Sequence, residues 1–483
     1  MNRQSFSVRR VVRLAWVLAG LGLCGCAASS VWQPYPAQVR PLLRDLESGR
    51  PVSVNKAFGW RVLGRDRILY LMEQGRLAQL QGDGAASRAA YADAIAASRE
   101  MDERAVVSAS DLAAKSAALL LNDNAIPYAA DGYERVMLHH GQALNYLFAG
   151  DAEGAGVEVR RAAAAQAEAL TRRAREVEAA QEQARRSGMP VTGNLGPVYV
   201  KLDAAAGRVK NSFQNAYTFA LSAVVRELLG DAGGAYIDYK KAAELAPANP
   251  AVRADVLRLA EALGMREDAA RYRAMWPDSV PARVPPGQGE LIVFFEDGFL
   301  PHKREIAVFI PLTGSGGWTP IALPVYDGPW MPSRSLAVRV ADGPAGETAP
   351  VCDLGALAAR ALRERMPAIL IRQMLRAAAK GAATHYAHTR SREAELAVFI
   401  MTLYNLISER ADLRSWVSLP QHAGVVKMAC PPGRRSVTLI QPETGAAETL
   451  EVDVRPGGRT VIVATRVGPR LTARAVAFGA EWR

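Results

Sequence analysis

From Arg65 to about Trp276, apolar residues recur every three or four positions in an alanine-rich background with few β-branched runs. That spacing predicts helices. After the proline-rich stretch MWPDSVPARVPPGQGE the period changes. GELIVFFEDG, EIAVFIPL, TPIALPVY and SLAVRVAD are short β-branched and aromatic runs, as are AGVVKMAC, RRSVTLIQP, ETLEVDV, RTVIVATRV and LTARAVAF. They predict strands, and PPGRRS and RPGGRT read as turns between them. MPAILIRQMLRAAAKGAA and AELAVFIMTLYNLISERAD interrupt the strands with helical spacing, so residues 354–410 are expected to form a helical insertion. The second run is shorter than the about 20 apolar residues a membrane span needs and reads as a buried helix.

The helical half contains an internal repeat on a frame of about 34 residues. Gly75, Tyr91 and Ala94 fall on the small and aromatic positions of a tetratricopeptide repeat. Ala143, Ala155 and Ala162 occupy equivalent places in a second copy, and Ala223, Ala235, Tyr239, Ala242 and Pro247 in a third. Small residues let paired helices approach, the aromatic fills the gap and proline ends the second helix. GDGA, GDAEGA and GDAGGA supply the turns. Between the first two copies, MDERAVVSASDLAAKSAALLLNDNAIPYAADGYE has the length of a degenerate repeat. Between the second and third, residues 161–187 form a long charged helix. It reads as an extension lying on the array, a solvated arm or a partner-binding helix. The expected fold is α+β multidomain. A tetratricopeptide-like helical solenoid spans 55–280, with a linker at 281–288. An antiparallel β-sandwich-like domain follows at 289–483.

The N-terminus has its own pattern. Arg3, Arg9, Arg10 and Arg13 precede the apolar run LAWVLAGLGL, as in a secretory signal. The end of the run, Leu23-Cys24-Gly25-Cys26, resembles the bacterial lipobox of signal-peptidase II substrates. That resemblance implies a signal peptide at 1–25, lipidation of Cys26 (palmitate among its acyl chains) and a lipidated linker at 26–54. Ala27, in place of Asp, implies sorting to the outer membrane. At roughly 0.8 kcal/mol per buried methylene, several acyl chains would make the tether nearly permanent.

The 483-residue chain carries a net charge of +11, nearer +7 once the four signal arginines are removed. Its arginines are dispersed, not clustered with aromatics, so nucleic acid is not an expected partner. Of four cysteines, Cys352 and Cys430 remain for the mature body. In an oxidising periplasm they read either as a disulfide or as two buried thiols too far apart to bridge. No cofactor, metal or small-molecule substrate is indicated. His385 and His388 have metal-like spacing but no acidic or cysteine partner nearby. Glu296-Asp297-Gly298 reads as a hairpin turn rather than an acid–base pair, and GSGG at 314–317 lacks the lysine of a phosphate loop. Arg414-Ser415-Trp416 is either a structural corner or an exposed contact patch.

GYERVMLHHGQALNYLFAGDAEGAGVEVRRA, FFEDGFLPHKREIAVFIPL and ADLRSWVSLP together resemble an uncharacterised family of Gram-negative outer-membrane lipoproteins with tetratricopeptide-like repeats and a C-terminal β-rich domain. The resemblance covers most of the mature chain and implies a cell-envelope role linked to regulation of peptidoglycan synthesis. The expected function is a non-catalytic protein-interaction scaffold on the periplasmic face of the outer membrane, with envelope proteins as partners. A component of an envelope secretion or polysaccharide-export assembly is the alternative. A glycan- or peptidoglycan-acting enzyme with an unfamiliar motif is another.

Overall fold

A computed structural model describes residues 33–53, 58–108, 124, 126–186, 196–311, 318–326, 328, 330–388 and 410–479. Cys26, the phosphate-loop-like GSGG and the second insertion helix lie outside them.

The helical half begins with α1 (Tyr35–Glu47) and a 3-10 turn (Gly59–Leu63). Four helical hairpins follow: α2 (Arg67–Leu80) with α3 (Gly84–Ser108), and α4 (Gly132–Phe148) with α5 (Ala152–Arg186). After α6 (Gly196–Ala206) come α7 (Ala216–Leu228) with α8 (Ala232–Leu245), then α9 (Pro250–Ala262) with α10 (Arg266–Met275). Three of the turns share one physical device. Gly82, Gly150 and Gly230 sit at φ of 83°, 77° and 75°, a region open to glycine at little cost. The aspartate after each caps the next helix: Asp83 accepts from the Ala86 N–H, Asp151 from Gly154 and Asp231 from Gly234.

The predicted packing residues lie at the helix crossings. Gly75, Tyr91, Ala94, Ala143, Ala155, Ala162, Ala223, Ala235, Tyr239 and Ala242 are all buried. Pro247 is exposed and follows the end of α8, where it serves to stop the helix. A Cβ on Gly75 would stand 2.3 Å from the Tyr91 ring, and one on Gly141 2.8 Å from its other edge. Tyr91 is thus seated in a notch made by two helical glycines. Of the expected 161–187 helix, residues 161–186 are the continuation of α5, which is one helix of 35 residues. It packs against α4, α7 and α11, and most described positions from Thr171 onward are exposed.

Among the described residues, the C-terminal half contains three sheets. Strands β1 (Gly289–Asp297), β6 (Ala349–Asp353), β7 (His422–Cys430), β10 (Arg459–Val467) and β11 (Arg470–Phe478) form one, in the order β11-β10-β1-β7-β6. β4 (Ala337–Val340), β5 (Ala345–Glu347), β8 (Gly433–Ile440) and β9 (Ala447–Val454) form a second, in the order β5-β4-β8-β9. β2 (Arg304–Pro311) and β3 (Trp318–Val325) make a separate hairpin. The first sheet is not purely antiparallel as expected, because β1 runs parallel to β10. A long stretch of chain separates those two strands, so no hairpin dictates their relative direction. Helix α11 (Leu354–His388) opens the insertion between β6 and β7. The short strands β5 and β6 escaped the sequence pattern because AGETAPVCD has no alternation.

β1 has no exposed residue. Its two faces serve two cores. Leu291, Val293 and Phe295 meet Val338, Val437, Leu439 and Val452 of the four-stranded sheet. Ile292 and Phe294 face the other way, into the cluster that contains Tyr217, Ala223, Tyr239 and Leu144 of the helices. The two expected domains therefore share one continuous core across the 281–288 linker. The helices pack against the chain's own sheet.

Candidate functional site

Two buried ionic clusters join the helices to that sheet. In the first, Arg76 of α2 pairs with Glu296 of β1 at 2.6 Å, with side chains 6% and 1% exposed. Tyr217 and Thr465 also donate to the Glu296 carboxylate. Burial alone would push this carboxyl up, but the Arg76 guanidinium outweighs it and holds it below its ordinary range. His140 lies beside it against the Tyr217 ring, and burial lowers its pKa to about 4, so it is neutral at pH 7. In the second cluster Lys427 of β7 reaches Asp255 of α9 at 2.6 Å and sits 4.6 Å from the centre of the Tyr239 ring. Asp255 also binds Arg258, which reaches Glu227. Glu227 binds Arg459, and Arg459 binds Glu290. Burial opposes ionisation of Asp255, and Lys427 and Arg258 more than offset it.

A third contact surrounds the segment 410–421. Arg414 is 3% and Trp416 0% exposed, so the exposed-patch reading is corrected: these residues form an internal corner. Arg414 bonds Asp66 at 2.6 Å, Asp412 at 2.9 Å and the Ile126 carbonyl. Trp416 donates its backbone N–H to Glu134 and its indole N–H to Ser418. Its ring meets Tyr91 edge-on at 5.9 Å. Val417 N–H binds Glu73, which also accepts from the Tyr35 hydroxyl. Two helical carboxylates, Glu73 and Glu134, and Asp66 just before α2 thus hold this segment, and all three were missed in the sequence. The available signal was polarity at core-facing positions: Glu73 and Arg76 interrupt ILYLMEQGRL, and Lys427 interrupts AGVVKMAC.

Of the two readings of Cys352 and Cys430, the disulfide is corrected and the separated thiols are what the structure shows. Both thiols are free. Cys352 stands opposite Ala423 on β7, and Cys430 lies seven residues further along that strand, about 23 Å away. That separation cannot be bridged. Glu296 and Asp297 are not surface turn residues: they end β1 as buried partners of Arg76 and Arg466. Gly298 beyond them takes a φ of 70°. His140 is in the core, while His139 binds Glu158 at 2.7 Å. The side chains of His385 and His388 lie outside the described residues. Among the described residues no three His, Cys, Asp or Glu side chains are placed to share a metal ion.

The cavity best placed to receive a ligand opens between the helical array and the edge strand β6, with a volume of about 580 Å³. The segment from Arg208 to Gln214, the end of α8 with Pro247, strand β6 and the start of α11 enclose it. Leu245, Pro247, Val351 and Leu357 supply apolar floor, and Asn211, Glu244, Asp353 and His422 a polar rim. Arg208 reaches Asp353 at 3.3 Å and stacks over Trp330. His422 donates Nε2–H to the Met331 carbonyl at 2.7 Å. Cys352 faces the cleft, but burial pushes its thiol up to about 12 despite nearby N–H groups of Tyr217 and Ala216. At neutral pH it is a protonated thiol. The arrangement is suited to binding an apolar body with polar ends, and its volume falls within the roughly 300–1,000 Å³ usual for ligand sites.

The chain matches no protein-family model, and no curated protein matches it.

Proposed function

We propose that this chain is an outer-membrane lipoprotein of the periplasmic face, tethered through Cys26, which acts as a non-catalytic scaffold for envelope proteins. Its helical hairpins are tetratricopeptide-like and its two larger sheets form a sandwich-like module. One observation carries the reading. The helices pack against the chain's own sheet and are fastened there by internally neutralised charges. Such a body offers a partner the open cleft between Arg208–Gln214 and β6. A partner segment with an apolar side chain fits its floor, and its polar backbone fits the rim. The link to peptidoglycan synthesis rests on the family resemblance.

Two measurements test this. Cys26→Ser should move the protein from the outer-membrane fraction to the soluble periplasm; unchanged sedimentation refutes the tether. A photo-crosslinking amino acid at Asn211 should capture a discrete envelope protein in intact cells. The same probe at Arg283, an exposed position outside the cleft, should not. Equal capture at both positions refutes the cleft as the docking site.

A further inference from the structure

β11 is an edge strand whose two faces differ. Leu471 and Ala473 face the four-stranded sheet. Arg470, Thr472 and Arg474, alternating on the other face, line two adjoining hollows of about 340 and 300 Å³. Leu80, Gln81, Thr465 and Thr472 border both. The guanidinium of Arg474 lies 4.5 Å from the centre of the Phe148 ring, within cation–π range. Its Nη1 is buried and, among the described residues, has no hydrogen-bond partner.

The other charges of this hollow do not answer Arg474. Arg76 and Glu296 neutralise one another at 2.6 Å. Glu448 of β9 borders the same hollow, yet among the described residues it makes no ion pair with Arg474. Burial, with no carboxylate to offset it, draws the Arg474 guanidinium below its ordinary value. It nevertheless stays charged at every physiological pH. The fully buried arginines Arg76, Arg414 and Arg466, by contrast, each pair with a carboxylate. Arg474 itself is partly exposed, but a guanidinium N–H buried without an acceptor costs free energy that a bound anion would return.

We infer that the hollow beside β11 is an oxyanion-binding site, in which the planar fork of Arg474 grips a carboxylate or phosphate group of a ligand. A guanidinium fits either group through two parallel hydrogen bonds. Arg470, four residues along the strand and about 13 Å away, draws anions toward the neighbouring hollow. Glu448 sets the second requirement: a ligand that also offers a hydroxyl or ammonium donor, not a densely charged polyanion.

The test uses the full mature chain with Cys26→Ser and three probes: inorganic phosphate, acetate and glycine. Thermal unfolding is followed against each probe, with sodium chloride at matched ionic strength as reference. A saturable rise in Tm is expected with at least one probe. A charge-assisted pair is strong enough that Arg474→Gln should weaken the affinity by roughly 10- to 100-fold. Arg474→Lys, which keeps the charge and loses the fork, should fall between, and Arg283→Gln should change nothing. A response to phosphate alone assigns a phosphoryl ligand, and a response to acetate and glycine a carboxylate. Preference for glycine that vanishes in Glu448→Gln places an ammonium beside that residue. Without ligand, Arg474→Gln should be at least as stable as the parent, since it removes a buried guanidinium N–H that has no acceptor. No saturable effect beyond chloride, or an equal effect in Arg474→Gln, overturns the inference. Neither result touches the Cys26 tether or the β6 cleft.

Discussion

Arg76→Met tests whether the helical array is fastened to the sheet by charge. Glu296 accepts hydrogen bonds from Arg76 at 2.6 Å and from Tyr217 and Thr465 at 3.1 Å each. Removing Arg76 leaves a carboxylate 1% exposed with two neutral donors and no cation. Breaking a buried pair from one side costs about 3–5 kcal/mol. The pH dependence should also reverse. In the parent, the depressed Glu296 pKa gives stability that is present above the ordinary carboxylate range and lost on acidification. In Arg76→Met the carboxyl pKa rises, so that contribution is lost as pH increases above about 4.5. Urea unfolding by circular dichroism at pH 5 and pH 7 reads both effects. The double variant Arg76→Met/Glu296→Met should recover most of the loss, because apolar groups of similar size can replace a buried pair. A cost below about 1 kcal/mol at pH 7, or an unchanged pH profile, refutes the reasoning.

Gly75→Ala places a methyl 2.3 Å from the Tyr91 ring, so it should destabilise by about 1–3 kcal/mol despite alanine's better helix propensity; a neutral result in denaturant titration contradicts the notch. Glu73 is buried without a cation, and burial raises its pKa to about 7. Because the folded pKa exceeds the unfolded one, stability should fall by about 3 kcal/mol between pH 4.5 and 7. Glu73→Gln keeps an acceptor for Tyr35 and Val417, so its profile over that window should be flatter in pH-resolved thermal melts, and an identical slope assigns the effect elsewhere. Cys352 and Cys430, with raised thiol pKa values, should resist maleimide at pH 7 until urea unfolds the chain; rapid labelling of the folded protein counts against both placements.

Much of the fold was legible because it rests on local rules. The Gly-Asp turns specify their own geometry: glycine supplies the positive φ and aspartate the cap. Small residues at Gly75, Ala143 and Ala223 mark helix crossings because any larger side chain would separate the helices. Short β-branched and aromatic runs marked β1–β4 and β7–β11 for the same local reason. The candidate site was far less legible. Glu73, Arg76, Glu134, Asp255 and Lys427 are ordinary charged residues in a one-dimensional reading, and helices and strands usually turn such residues to water. Their burial follows only from partners distant in the chain, such as the 220 positions separating Arg76 from Glu296.

The sequence by itself determined the helical hairpins, their turns, most strands and the place of the insertion, since each depends on residues within a few positions of one another. The tertiary structure decided what those elements face. It turned Arg414 and Trp416 inward, because Asp66, Asp412 and Glu134 supply the bonds that make their burial affordable. It kept Cys352 and Cys430 apart, because strand register fixes their spacing along β7. It set β1 parallel to β10 and closed the helical array on its own sheet, through cores and ion pairs that no local pattern encodes.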